Sequence, residues 1–346
     1  MMQNHEQYMR RCFQLALKAK GYVAPNPLVG SVIVFENKII GEGYHMNYGE
    51  AHAEVNAVKS VSDKTLLAKS TLYVNLEPCA HHGKTPPCAD LIVANKIPRV
   101  VIGCVDSFSE VAGKGIEKLR AAGIEVIVGI LEKESRELNT RFFTFHEKKR
   151  PYVILKWAQS SDGFIDIKRD QNQKGIVWIS EPGTKSLVHQ WRHEEAAILV
   201  GWKTIATDNP HLTCREVKGN DPVRIVIDEN LRLDYNAFNV GDRKAKTIVL
   251  TSKNVIGDSG LQFISPENFS VESILKKLWE LNLQSVIIEG GKTTLENFIS
   301  TNLWDEARII TGHTCLEDGV LAPKLNAKIE STFTFGNDHI QILKHA

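Results

Sequence analysis

The sequence has no stretch approaching the ~18 consecutive apolar residues of a membrane-spanning helix. Its opening segment, MMQNHEQYMRRCFQLALKAK, scatters charges through the apolar positions, which argues against a cleaved secretory signal. An excess of one charge is missing too: 42 Lys and Arg face 41 Asp and Glu. No long-range positive field therefore exists to gather nucleic acid on a surface. Six cysteines in 346 residues are too few for a disulfide framework. Neither G-x-G-x-x-G nor G-x-x-x-x-G-K-[ST] occurs, so the usual dinucleotide and P-loop fingerprints are absent. There is no internal repeat and no low-complexity segment. What remains is a cytoplasmic globular protein whose partner is a small molecule, with no membrane and no nucleic acid.

At this length a single hydrophobic core has usually stopped growing, so two domains are expected. Through residue 145, patterns of helical and strand period alternate. Tyr8, Cys12, Leu15 and Ala19 share a helical face, SVIVF and KIIGEGY flank a turn at Glu36 and Asn37, and TLYVNLE, RVVIGCVD and IEVIVGI read as strands. That is an α/β layered domain. The charged, proline-closed run HEKKRP, His146 to Pro151, breaks the pattern and sets the domains at 1–146 and 151–346. Beyond it YVILKWAQS, AAILVG, VRIVID, TIVLTS and SVIIEGG read as strands and VESILKKLWELN as a helix. STFTFG-ND-HIQIL reads as a closing hairpin that turns on Asn337 and Asp338. The second domain is also α/β, with a β-rich tail.

Cys12, Cys104, Cys214 and Cys315 are scattered singly and read as reduced thiols. Cys79 and Cys88 differ, sharing a loop with His and Pro. His52-Ala53-Glu54 opens a helix, Pro78-Cys79 follows the strand TLYVNLE, and Cys88 opens the helical stretch CADLIVAN. A helix start stabilises a thiolate through its unpaired N–H groups and dipole. One imidazole and two thiolates leave the fourth tetrahedral position of zinc to water, the mark of a catalytic site. Water held there drops from a pKa of ~15.7 to ~7. Glu54, two residues from His52, can take its proton and pass it to a ring nitrogen and a departing amine. The generic signature of zinc nucleobase deaminases is H-x-E followed by P-C-x-x-C, whereas here the eight residues AHHGKTPP separate the cysteines. A zinc-free loop, or a closed structural zinc with His81 or His82 as fourth ligand, are the alternatives.

EPCAHHGKTPPC, with APNPLVG before it and GEGYHMNYGEAHAE between, resembles the deaminase domain of the bacterial bifunctional riboflavin-biosynthesis deaminase/reductases, whose own cysteine spacing is extended. The resemblance implies a cytidine-deaminase-like three-layer fold. It also implies a substrate pocket lined by Asn26, His45, His81 and Lys84, with Lys84 and one histidine suited to a phosphate.

In the second domain SVIIEGGKTTLENFI is a strand running into Gly290-Gly291 and then a helix opened by Thr293 and Thr294, a turn that offers N–H groups to an anion. Arg192 at a helix end and Arg215 after a turn, with Thr204 and Asp208 between them, could clamp a phosphate. A surface arginine and a plain Asp208-Asn209-Pro210 turn are the alternative. KWAQSSDG, GWKTIATDNPHLTCR, RIVID and IEGGKTTL resemble, in order, the reductase domain of the same family, which is similar in fold to dihydrofolate reductase. By that resemblance NADPH would be held by Gln159, Trp178, Thr204, Asp208 and the turn from Gly291 through Lys292, Thr293, Thr294, Leu295 and Glu296 to Asn297. Arg192, Leu212, Arg215 and Glu289 would hold the substrate. The chain departs from the family at Gln159, where a small residue is usual, and at Ile176 in IKRDQNQKGIV, where a small polar residue is typical.

The resemblance implies zinc-dependent deamination of 2,5-diamino-6-ribosylamino-4(3H)-pyrimidinone 5′-phosphate, then NADPH-dependent reduction of its ribosyl to a ribityl chain, in a homo-oligomer, dimer or tetramer. A nucleic-acid-editing deaminase with an accessory binding domain is the competing enzyme reading. Neutral net charge and the lack of interleaved basic and aromatic residues weigh against it. A zinc-stabilised binding protein is the non-catalytic reading.

Overall fold

The computed structural model describes residues 5–80, 86–107, 112–170 and 173–345. The chain divides into two compact units, Met1–Lys148 and Lys149–Ala346. In the first, the elements run α1 (His5–Leu17), β1 (Gly30–Phe35), β2 (Lys38–Tyr44), α2 (Ala53–Ser60), β3 (Thr71–Leu76) and α3 (Cys88–Ala94). There follow β4 (Arg99–Cys104), α4 (Lys114–Ala121), β5 (Glu125–Val128), α5 (Glu132–Leu138) and α6 (Thr140–Lys148). Among the described residues the strands make a five-stranded sheet in the order β2-β1-β3-β4-β5, antiparallel up to β3 and parallel from there.

Residue alternation along the strands builds two cores. Val32, Val34, Tyr73 and Val101 point to the face covered by Tyr8, Met9, Cys12 and Leu15 of α1. Their neighbours Ile33, Leu72, Val74, Val100 and Ile102 face α2, α3 and α4. The result is the helix–sheet–helix layering that period-2 strands buried on both faces require. Glu36 and Asn37 take left-handed φ values of 47° and 64°, the turn whose twist suits a two-residue hairpin. A Cβ on Gly30 would stand 2.1 Å from the Cys12 carbonyl oxygen, so glycine lets α1 lie on β1. The charged run at 146 begins inside structure: His146 to Lys148 form the last turn of α6, whose Phe142, Phe143 and Phe145 are buried.

The second unit runs β6 (Tyr152–Gln159), β7 (Phe164–Asp166), α7 (Thr184–Glu194), β8 (Ala197–Gly201), α8 (Trp202–Asp208), β9 (Val223–Ile227), β10 (Thr247–Leu250) and β11 (Leu261–Ile264). It continues with α9 (Val271–Glu280), β12 (Ser285–Ile288), α10 (Lys292–Ser300), β13 (Glu306–Thr311), β14 (Val320–Leu321), β15 (Lys328–Phe335) and β16 (Asp338–Lys344). Among the described residues the main sheet is β11-β10-β9-β8-β12-β6-β13-β16-β15. It is parallel through β13, and β16 and β15 add antiparallel. Helices α9 and α10 cover one face through Ile274, Leu275, Leu278, Leu295 and Phe298. Trp191 of α7 and Ile205 of α8 cover the other. Gln159, Gly201, Glu289 and Thr311 stand at or just past the carboxyl ends of parallel strands, where such sheets bind ligands.

Two features differ from the sequence expectation. Strand β13, which the apolar pattern did not reveal, lies beside β6 with five of its six residues buried. Its charges hid it: Arg308 pairs with Glu306 at 2.6 Å and with Glu195 at 3.1 Å, and Glu306 also accepts from Tyr152 and Lys344. The closing hairpin turns one residue earlier than expected, on Gly336 and Asn337, with Phe335 opposite Asp338. Gly336 supplies the left-handed φ of 60°. Asp338 is fully buried, where it accepts from the Glu181 N–H and the Thr184 hydroxyl. Among the described residues no helix is long and apolar enough to cross a membrane.

Candidate active sites

His52 caps α2, Cys79 follows β3 and Cys88 is the first residue of α3. These three places converge. His52 Nδ1 lies 3.3 Å from Cys88 Sγ and 3.6 Å from Cys79 Sγ, and the three donor atoms are all within 4.8 Å of one another. The first amide of α3, on Cys88, donates to Cys79 Sγ at 3.3 Å, so a helix start holds the sulfur as expected. The Cys88 thiol and His52 also draw the Cys79 thiol well below its usual range. One nitrogen and two sulfurs at mutual ligand distance suit zinc with an open position.

Glu54 is 3% exposed, and burial, then the Cys79 charge, raises its carboxyl to about 7. His45 is buried and its ring meets that of His52 edge-on at 5.5 Å. Its Nδ1 donates to the Ala51 carbonyl at 3.1 Å, which leaves Nε2 to accept from the Asn26 amide at 2.9 Å. Burial also lowers its pKa, so the ring is neutral. Asn26, His45, His52 and Glu54 thus form one neighbourhood. His81 and Lys84 lie outside the described residues.

The sequence reading missed what positions this group. Glu77, two residues before Cys79, is buried and accepts from the N–H groups of Gly113 and Gly115 at 2.9 Å and of Asp106 and Ile116 at 3.3 Å. It ties the end of β3 to the start of α4. Asn75 accepts from Gly30 N–H and donates to the Leu28 carbonyl, and Asn139 accepts from Leu28 N–H. These two buried amides anchor the segment that carries Asn26. Only a polar residue inside an apolar strand, such as Asn75 in TLYVNL, could have signalled this.

In the second unit Glu289 receives Lys156 Nζ at 2.6 Å and Arg192 Nη2 at 2.8 Å. The Arg192 and Lys156 charges outweigh burial and hold its carboxyl at about 2. Lys156 was not singled out from sequence. Arg192 also donates to the Thr213 carbonyl, and Arg215 to the Thr213 hydroxyl, so both predicted arginines meet at one loop. His189 Nδ1 accepts the Arg215 and Glu216 N–H groups at 2.7 and 3.2 Å. Leu212 is 2% exposed with a left-handed φ of 58°, so its side chain belongs to the core.

Thr204 and Gly291 come together, the Thr204 hydroxyl accepting the Gly291 N–H at 3.2 Å. Gly291 caps α10, which starts at Lys292, one residue before the expected Thr293. Thr294 stands beside Gly201, Lys292 pairs with Glu296 at 3.6 Å, and Asn297 lies one turn further along. Leu295 is fully buried and points into the core. A Cβ on Gly291 would meet no atom closer than 3.9 Å, so the turn leaves room for a pyrophosphate over the first amides of the helix. Asp208 ends α8, and burial raises it to about 6. Gln159 is engaged by the Trp157 indole at 2.9 Å and by Thr311. Trp178 is 57% exposed with Lys185 3.8 Å over its ring, and Ile176 is 45% exposed.

Residues 2–104 match the cytidine and deoxycytidylate deaminase zinc-binding region, and residues 151–338 match the RibD C-terminal domain. The chain belongs to the RibD family. The riboflavin biosynthesis protein RibD of Aquifex aeolicus is 41% identical over 319 residues, covering 90% of this chain and 88% of that one. A crystal structure of a Thermotoga maritima diaminohydroxyphosphoribosylaminopyrimidine deaminase/5-amino-6-(5-phosphoribosylamino)uracil reductase superposes with a TM-score of 0.88 at 36% identity, covering 99% of both chains. Acinetobacter baumannii RibD superposes with a TM-score of 0.89 at 30% identity, covering 98% of each. The RibD resemblance therefore spans both units, and with it the deaminase-like and reductase-like folds.

Proposed function

We propose that this chain catalyses two successive steps of riboflavin biosynthesis. The first is hydrolytic deamination of 2,5-diamino-6-ribosylamino-4(3H)-pyrimidinone 5′-phosphate by a domain at residues 1–146. The second is NADPH-dependent reduction of the ribosyl to the ribityl chain by a domain at 151–346. The observation that carries the reading is the buried Glu54 carboxyl beside a nitrogen and two sulfurs at ligand distance, on a chain with a RibD reductase unit.

His52, Cys79 and Cys88 would hold zinc, which when bound supplies a Lewis acid that makes a water nucleophile available at neutral pH. Glu54 takes one proton of the attacking water and gives it to the ring nitrogen, then carries the second, from the newly added hydroxyl, to the amine, which leaves as ammonia as the C–N bond breaks and the carbonyl forms. Asn26 and neutral His45 orient the pyrimidine, and His81 and Lys84 meet its phosphate. In the second domain Arg192 and Arg215 bind the phosphorylated sugar, with Leu212 contributing backbone and Glu289 accepting from sugar hydroxyls. Gln159, Trp178, Thr204, Asp208 and the segment from Gly291 to Asn297 would hold NADPH, which when bound supplies the hydride. The protein's part there is alignment.

The protein is cytoplasmic in this reading, because the thiol donors must stay reduced, and all six cysteines are free. It is also a homo-oligomer: β15 is an edge strand whose Ile329 and Phe333 are 52% and 39% exposed, a surface that pairing with a second copy would cover. The test is to give purified protein the diamino substrate and measure ammonia release and NADPH oxidation separately. Both activities are expected, with oxidation dependent on prior deamination. Ammonia without oxidation would leave only the first half standing.

A further inference from the structure

The span Glu77-Pro78-Cys79, which leaves β3, is held at both ends by helix starts. At its far end the first amides of α3 hold Cys79: the Cys88 N–H donates to its sulfur at 3.3 Å and the Ala89 N–H to its carbonyl at 3.1 Å. At its near end Glu77, 4% exposed, meets the start of α4. Glu77 Oε1 accepts from the Gly115 and Ile116 N–H groups at 2.9 and 3.3 Å. Oε2 accepts from those of Gly113 and Asp106 at the same two distances. Each oxygen thus takes two donors.

Between the two grips the chain has little freedom. Pro78 fixes its own φ and has no N–H. Its carbonyl oxygen rests against Gly115, where a Cβ would stand 1.9 Å from it, so glycine lets α4 start on the span. Asp90 of α3 pairs with Lys118 of α4 at 2.5 Å, which ties the two helices together. A displacement of Glu77 therefore passes through a single proline to Cys79 Sγ, which lies 3.6 Å from His52 Nδ1.

We propose that Glu77 is a positioning residue for the deaminase site: by occupying the amides at the start of α4 it fixes Cys79 Sγ at its ligand position and so sets the affinity of the site for zinc. It acts through Pro78 and Cys79 and not on the substrate. Residues that orient a metal ligand in this way typically carry about 10- to 100-fold in metal affinity. The inference rests on reading His52, Cys79 and Cys88 as the zinc ligands, and the test separates the two claims.

Zinc affinity of the full chain, measured by competition with a chromophoric chelator, is compared with that of Glu77→Gln, Gly115→Ala and Leu119→Ala. Glu77→Gln keeps the shape of the side chain but offers one oxygen and turns an NH2 group onto two of the four N–H donors. Gly115→Ala keeps Glu77 and pushes on Pro78. Leu119→Ala opens a cavity in the core beneath α4 and leaves the bonds of the span intact. Glu77→Gln and Gly115→Ala should each bind zinc about 10- to 100-fold more weakly, with Leu119→Ala at native affinity. Native affinity in Glu77→Gln would overturn the proposal. So would equal weakening in Leu119→Ala, which would make the loss a matter of stability alone. Should Glu77→Gln fail to fold, Gly115→Ala decides, and native affinity there overturns the proposal. An unsubstituted chain that binds no zinc would remove the zinc site itself, whereas zinc bound equally by every variant removes only the role of Glu77.

Discussion

Replacing Glu289 with Gln keeps the shape of the side chain and removes one charge from between Lys156 and Arg192. In the native protein the Glu289 side chain is 15% exposed and each cation 12%, so water screens the group poorly. The carboxyl falls from 4.5 to about 2, which at ~1.4 kcal/mol per unit corresponds to ~3 kcal/mol of stability. That agrees with the ~3–5 kcal/mol typical of breaking a buried ion pair, where two cations lose their partner. The sign is that of a depressed carboxylate: the contribution is complete above pH ~4.5 and disappears as pH falls through about 2. Urea unfolding of the full chain without substrate, followed by fluorescence of the second unit's tryptophans, reads the effect. Glu289→Gln should lower the midpoint of that transition by the equivalent of ~3 kcal/mol at pH 7, with the first unit's transition unmoved. A loss below ~1 kcal/mol would show that the pair carries no net charge stabilisation.

Glu54→Gln should cut ammonia release by about two to four orders of magnitude with zinc content and NADPH oxidation of the deaminated substrate retained; unchanged ammonia release would sink the proton-shuttle role. Asp208, raised by burial to about 6, makes a contribution present below pH ~3.8 and lost as pH rises through 6. Asp208→Asn should therefore gain thermal stability relative to the native chain between those values and hold the gain above. Its side chain is 30% exposed, which limits the plateau to ~1–2 kcal/mol; a pH-independent difference would exclude the mechanism. His189→Ala leaves the Arg215 and Glu216 amides without their acceptor, a cost of ~1–3 kcal/mol. It should also raise KM for the phosphorylated substrate more than it lowers kcat, and His189→Asn, whose Oδ1 can replace Nδ1, should restore part of both. Equal effects of Ala and Asn would argue against the acceptor role.

The zinc group was legible because its chemistry depends on residue types at short spacings: H-x-E, P-C and a cysteine at a helix start. Those spacings survive folding because each lies at one end of a single element. Most strands were legible from their apolar runs. What escaped were groups assembled across long separations. Glu77 acts through amides about forty residues on, Asn75 and Asn139 reach Leu28 from far along the chain, and Lys156 and Glu289 meet across two strands that neighbour only in space. Strand β13 escaped for the opposite reason. Its charges read as solvent-facing, but they neutralise one another in the interior, and no local pattern distinguishes those cases.

The buried carboxylates divide by their partners, and the division says which can handle protons. Glu77 and Asp228 are surrounded by fixed N–H and O–H donors and each serves as a brace for a loop. Glu289 is held ionised by two cations at about 2 and stays charged at any pH at which the enzyme works. It can accept from substrate hydroxyls but cannot exchange a proton. At Glu54 burial, then the Cys79 charge, outweighs the opposing effects of His52, a backbone hydrogen bond and the Cys88 thiol and brings the carboxyl to about 7, where giving and taking a proton cost about the same. That balance suits Glu54 to the combined acid and base role proposed for it in the hydrolytic step. The reductive site must take the proton that accompanies hydride transfer from a group other than Glu289.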